Sequence, residues 1–263
     1  DQTEWTSVSS DKGRKLFHAW KSGKTGYPMV DAGMRELHET GWMNQSVRMV
    51  VASFLCEILN IDWRYGAKHF HQELVDADVS INAMMWQNAG RSGIDQWNFF
   101  MSPENASQDP SGSYTKRWVP ELSNLPLKYL HKPWTAPAPV LAKAGVILGD
   151  NYPIRVCLDI NAAREKTTNS VLAMRRRNLH FNDDGGYDII VLRDGTQSRV
   201  FTRKDLRLNR DGSLKGGNRR SKTEGKSQKI KRKSKYERKG NQLKINSFFA
   251  TAKKHRSDLQ TPT

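Results

Sequence analysis

The charge of this chain is unevenly placed, and that limits which part of it can fold. Residues 1–198 carry 22 Lys and Arg against 22 Asp and Glu, whereas residues 199–263 carry 21 against 5, so the final stretch holds the whole formal excess of +16. A polycation with few large apolar side chains cannot bury enough surface to offset its chain entropy, and a disordered tail is expected from about residue 209. The packed core must come from the neutral part, which is long enough for one large domain or two small ones. Its longest apolar run, residues 50–59, is broken by Ser53 and Glu57 and is too short to cross a bilayer, so no membrane partner is expected. Cys56 and Cys157 are the only two thiols, which points to a reducing compartment rather than a disulfide framework. No Cys/His spacing suggests a metal; His69 and His71 read as polar positions on a helix. The chain begins at Asp1 without a Met and is read as a fragment or processed product.

Residues 15–181 read as mostly helical. Pro28 suits a first helical turn, residues 30–39 carry spaced apolar side chains, and Gly41 ends the run. Residues 45–59 and 66–75 repeat the pattern, and residues 102–113, rich in Pro, Ser, Asn and Asp, read as a loop. A final long helix is expected over residues 159–179, where the arginines at 175–177 complement the dipole. Beyond it, Asp194-Gly195 between residues 187–192 and 198–203 is a hairpin signature. The expected organisation is a lead-in over 1–14, a helical domain over 15–181, a β-hairpin annex over 182–208 and a disordered basic tail over 209–263.

The most informative stretch for chemistry is Asp76-Ala-Asp78-Val-Ser-Ile-Asn82-Ala-Met-Met-Trp86-Gln-Asn88. At helical pitch Asp78, Asn82 and Trp86 fall at i, i+4 and i+8 and share one face. A carboxylate, an amide and an indole in a row suit a polar, redox-active aromatic ligand, with Asn82 donating to or accepting from a ring nitrogen. The plainer reading is a helix start capped near Asp76 or Asp78, with Trp86 as core.

The surroundings decide between these readings. Upstream stand Trp20-Lys-Ser-Gly-Lys-Thr-Gly-Tyr-Pro-Met-Val-Asp31-Ala-Gly-Met-Arg35, Thr40-Gly-Trp42-Met-Asn44-Gln45-Ser-Val-Arg48-Met49 and Ile61-Asp62-Trp63-Arg64. Downstream stand Asp109-Pro-Ser-Gly-Ser-Tyr-Thr-Lys-Arg-Trp118-Val-Pro-Glu-Leu122 and Leu130-His-Lys-Pro-Trp134. Together they closely resemble the FAD-binding, C-terminal half of the photolyase/cryptochrome family. The resemblance implies a mainly α fold of that type with FAD as cofactor. It also implies electron hopping through Trp86, Trp63 and Trp20, taken as proximal, intermediate and terminal. Asn82 would face the flavin N5 and favour the anionic, fully reduced ring over a neutral radical. Arg48 and Asp76 would form a buried ion pair beside the ring, and Asp78 would contact its polar edge.

Two departures bear on the substrate. Dimer-repair enzymes of the family usually read Trp-Met-His-Asn-Arg where this chain has Trp42-Met43-Asn44-Gln45-Ser46, and Trp-Gln-Trp where it has Trp86-Gln87-Asn88. The missing second indole would stack on a flipped lesion. The (6-4) enzymes would place histidines where Gln45 and Met49 stand. Asn44, Gln45, Met49 and Asn88 are therefore the candidate substrate-binding positions. The N-terminal domain that carries an antenna chromophore in the family lies outside this sequence. The resemblance implies a light-driven flavoprotein acting on DNA, a photolyase splitting pyrimidine dimers by electron donation from reduced FAD. The alternative is a cryptochrome photoreceptor using the same tryptophans for signalling.

The tail adds an independent motif. Gln242-Leu-Lys-Ile245-Asn-Ser-Phe248-Phe249 fits the box of proteins that bind the eukaryotic sliding clamp of the proliferating-cell nuclear antigen type. Such a peptide makes a short helical turn whose Ile245, Phe248 and Phe249 enter an apolar pocket while Gln242 docks in a polar one. Lys229, Lys231, Arg232, Lys233 and Lys235 read as a nuclear-import or DNA-binding cluster, which makes DNA a partner and the nucleus the expected location.

Overall fold

A computed structural model describes residues 4–91, 101–200 and 202–215. The cluster at 229–235 and the box at 242–249 lie outside the described residues. The helices are α1 (Asp11–Lys21), α2 (Pro28–Thr40), α3 (Gln45–Ser53), α4 (Trp63–Glu73), α5 (Val79–Ala89), α6 (Ser113–Trp118), α7 (Leu127–Leu130), α8 (Ala138–Ala144) and α9 (Ile160–Arg177). Two short strands, β1 (Asp188–Val191) and β2 (Gln197–Val200), pair antiparallel with Asp188 opposite Val200 and Val191 opposite Gln197. The mainly α fold with a small hairpin is thus as expected, with Gly195 at φ 81° in the connecting turn.

Local chemistry sets most helix boundaries. Asn44, Asp62, Asp78 and Asp159 each accept a backbone N–H two or three residues ahead, satisfying donors that the first turn leaves free. Gly41, at φ 67°, closes α2 by donating its N–H to the Leu37 carbonyl. One boundary differs from expectation: α3 runs into a π turn, Phe54–Ile58, in which Leu59 N–H reaches back five residues to the Phe54 carbonyl.

The main core gathers α1 to α5 around Trp20, Tyr27, Phe54, Phe70 and Trp86. A second cluster, with Val119, Leu122, Leu125, Leu130 and Tyr152, packs on Ala32 of α2. The buried Asp31 joins the two. It accepts from the Thr25 N–H at 2.7 Å, the Thr25 hydroxyl at 2.6 Å, the Gly26 N–H at 3.0 Å and the Tyr152 hydroxyl at 2.8 Å. Four donors on one carboxylate offset its desolvation, which by itself pushes the Asp31 pKa up. Gly26 has φ 77° and lies so close to the Arg155 backbone that a Cβ would meet it at 2.6 Å, so the motif needs glycine there. A third cluster, Val171 and Leu172 with Leu206 and Leu208, seats the residues after the hairpin on α9.

Candidate functional site

Helices α4 and α5 are locked by two reciprocal glycine–tryptophan contacts. A Cβ on Gly66 of α4 would meet the Trp86 ring at 2.3 Å, and a Cβ on Gly90, just past α5, would meet Trp63 Cδ1 at 2.2 Å. Each helix thus presses an indole onto bare backbone of the other, and this close approach fixes the α5 face turned to α3.

Between α3 and α5 lies a cleft of about 300 Å³. Gln45, Arg48, Met49, Asp76, Asp78, Asn82, Trp86 and Asn88 all line it. Eight residues singled out from the sequence therefore meet at one place. Asp78 combines both readings of its segment: it caps α5 by accepting from Ile81 N–H at 2.8 Å, and it faces the cleft. Asn82 donates from Nδ2 to the Ala67 carbonyl at 2.9 Å. A carbonyl can only accept, so this bond fixes the amide's orientation and leaves Oδ1 as its acceptor. Arg48 donates from Nη2 to Asp76 at 2.9 and 3.1 Å and from Nε to the Met43 carbonyl at 2.7 Å.

Three expectations need correction. The Arg48–Asp76 pair forms, but it is not buried: the Asp76 side chain is 47% exposed at the cleft mouth, where water offsets much of its desolvation. Asn44 does not line the cleft; its Oδ1 is engaged as the N-cap of α3 by the Ser46 N–H at 3.0 Å. Trp20 does not reach the surface. It is wholly buried, donates its indole N–H to the Val51 carbonyl at 3.0 Å, and stands edge-on to Trp86 with ring centroids 6.1 Å apart. That is a direct neighbour of Trp86 rather than the outer end of a chain through Trp63.

Trp5 is a further tryptophan, packed against the main core, that no motif in the sequence marks. Its segment is tied to Asn60, which donates to the Glu4 carbonyl at 2.5 Å and accepts from Thr6 N–H at 2.7 Å. This holds a partly buried indole beside the turn that leads into Trp63. Glu57, in the sequence an interruption of an apolar run, is a second residue that no motif marks. Glu57 lines the cleft, is 4% exposed and binds Arg91 at 2.7 Å. The signal was available, since a lone carboxylate inside an apolar run needs a buried partner.

The cleft suits a flat amphipathic ring. Met49, Ile81, Met85 and Trp86 supply apolar wall, and Asn82, Arg48 and Asp76 supply directed polar groups, the usual make-up of a cofactor site. Among the described residues no group of three or more His, Cys, Asp or Glu could hold a metal ion, and no helix is long and apolar enough to cross a membrane.

A family model described as the FAD binding domain of DNA photolyase matches residues 1–173. The chain belongs to this family. Over 166 residues the photolyase domain is 48% identical to a deoxyribodipyrimidine photo-lyase of Agrobacterium fabrum, covering 62% of this chain and 34% of the relative. Over 144 residues it is 46% identical to cryptochrome-1 of Arabidopsis thaliana, covering 53% and 21%. Its structure resembles that of a bacterial class III photolyase from Agrobacterium tumefaciens, with a TM-score of 0.60, 43% identity and coverage of 66% and 36%. The chain thus spans about a fifth to a third of these relatives' length. The photolyase match stops within α9, so the hairpin and the residues after it lie beyond it.

Proposed function

We propose that this chain is the flavin-holding part of a light-driven FAD enzyme acting on DNA, a photolyase that reverses pyrimidine dimers. The observation that carries the reading is the convergence of Asn82, Trp86 and the Arg48–Asp76 pair on one cleft. When bound there, FAD would supply a light-activated one-electron donor. Asn82, its Nδ2 held by the Ala67 carbonyl, would present an acceptor oxygen that carries no acidic proton. Arg48 would offer positive charge toward an electron-rich ring, with Asp76 holding its guanidinium in place. Trp86 is the indole that lines the cleft, Trp63 lies against the same helix at Gly90, and Trp5 is the outward candidate in place of Trp20.

The direct test is illumination of the reduced full-length protein with DNA carrying cyclobutane dimers. Loss of dimers in light but not in darkness supports repair. Flavin photoreduction without loss of dimers supports the cryptochrome photoreceptor instead. That second reading has its own observation: the cleft-lining Asn88, 4% exposed, stands where the dimer-repair pattern has an indole for stacking. An antenna chromophore would belong to a part of the protein outside this sequence. The basic cluster and clamp-type box of the tail support a nuclear protein delivered to DNA by a sliding clamp.

A further inference from the structure

Glu57 is a nearly buried carboxylate on the cleft wall, and guanidinium groups approach it from three separate elements. Arg91, just past α5, reaches its Oε2 at 2.7 Å; Arg164 of α9 lies 3.8 Å from the same oxygen; and Arg203, beyond the hairpin, lies 3.8 Å from Oε1. The π turn that carries Glu57 is also tied to α9, because the Thr167 hydroxyl donates to the Glu57 carbonyl at 3.0 Å. Arg91 takes an unusual backbone conformation for a non-glycine residue, φ 59°, while its side chain is only 4% exposed. Such geometry persists only where surrounding contacts enforce it, and the Glu57 bond together with an Arg91 Nη1 contact to Thr168 Oγ1 at 3.3 Å supplies them.

Arg203 belongs to a segment outside the match to the FAD-binding domain, yet its guanidinium comes within 3.8 Å of Glu57, which lines the cleft. Leu206 and Leu208 seat the same segment on α9, which anchors the chain just after Arg203. Its other partner is Asp205, at 2.6 and 3.1 Å, which fixes its plane.

We propose that Glu57 is a positioning residue through which the annex and the flavin cleft are energetically coupled, with Arg203 as the annex's contribution. This rests on the flavin reading above. If the annex loosens, Glu57 loses one of its charge partners, and the π turn at the back of the cleft loses a constraint. By reciprocity, a ligand that orders the cleft wall must tighten the annex by the same free energy.

The test is hydrogen exchange of the hairpin amides at 188–191 and 197–200 in the full-length protein, with and without FAD, beside the FAD dissociation constant. In wild type, FAD should slow exchange in the hairpin. Arg203→Gln should weaken FAD binding about fivefold to tenfold, the lower part of the usual coupling range, and lose that protection. Arg203→Lys, which keeps the charge but not the fork, should restore part of both. Glu57→Gln should uncouple the two sites even where the cleft still binds FAD. If Arg203→Gln or Glu57→Gln proves unfolded, the comparison of wild type with Arg203→Lys still decides. FAD binding without hairpin protection in wild type, or unchanged affinity and protection in the variants, overturns the coupling. A wild-type protein that takes up no FAD overturns the flavin reading itself, and the coupling with it.

Discussion

Trp86 is placed by what is absent opposite it. Gly66 and Gly90 leave room for two indoles that no alanine would leave, so Gly66→Ala or Gly90→Ala should cost about 1–3 kcal/mol of overpacking. Urea denaturation measures that loss, and a midpoint unchanged in both variants would mean the helices shift freely. For electron transfer the relevant substitutions are Trp86→Phe and Trp5→Phe in FAD-loaded protein. Trp86→Phe should abolish light-driven flavin reduction, while Trp5→Phe should leave a charge separation that recombines quickly; transient absorption distinguishes these. If Trp20→Phe rather than Trp5→Phe shortens the separated state, the outward assignment of Trp5 is wrong. His69 tests burial in another way. Burial, then the nearby Lys21 and His38, against the opposing pull of Glu73, lower its pKa to about 4. The unfolded side chain takes its proton near pH 6.5, so the unfolded state gains protons first as pH falls. This residue's contribution should be intact above about pH 6.5, decline by about 1–3 kcal/mol down to pH 4, and level off below. His69→Gln should remove that share of the slope in urea midpoints taken from pH 7.5 to 4.

At the level of elements, what was legible in the sequence was what is decided nearby. The Asx caps at Asn44, Asp62, Asp78 and Asp159, the Gly41 stop and the Asp194-Gly195 turn depend on a few consecutive residues, and helices and hairpin follow. The cleft residues of α5 were legible as a helical face, and their partners Arg48 and Gln45 through ordered motifs. The π turn was not, because its partner is far along the chain: the Thr167 hydroxyl of α9 donates to the Glu57 carbonyl within it. Glu57 was readable as a carboxylate in an apolar run, but its partners were not: its arginines come from segments far along the chain, and no spacing rule unites them. Trp20 misled because a tryptophan in a motif does not say whether it faces outward; its N–H bond to Val51 does. Asn44 looked like a pocket residue for the same reason and proved to be a cap.

For the whole molecule, charge separation has a functional reading that the charge-balanced part cannot supply. Residues 1–198 are charge-balanced, so the net electrostatic attraction to nucleic acid comes chiefly from the residues after them. Two separable terms are then expected of the tail. The cationic run should bind phosphate by releasing counterions, with a steep salt dependence and little sequence preference. The box with Ile245, Phe248 and Phe249 should bind a sliding clamp by apolar burial, with little salt dependence. Three such side chains contribute roughly 1.5–3 kcal/mol each on full burial, offset by the ordering of the peptide, which gives a Kd on the order of micromolar. Phe248→Ala with Phe249→Ala should abolish clamp binding at any salt. Neutral replacement of Lys229, Lys231, Arg232, Lys233 and Lys235 should mainly lower DNA affinity and flatten its dependence on salt. Calorimetry of a peptide covering residues 240–254 against purified clamp isolates the first term, and salt titration of DNA binding isolates the second. A peptide silent at high micromolar concentration would remove the clamp while leaving the phosphate term intact. Delivery to DNA would then rest on charge alone, and the photoreceptor reading would gain.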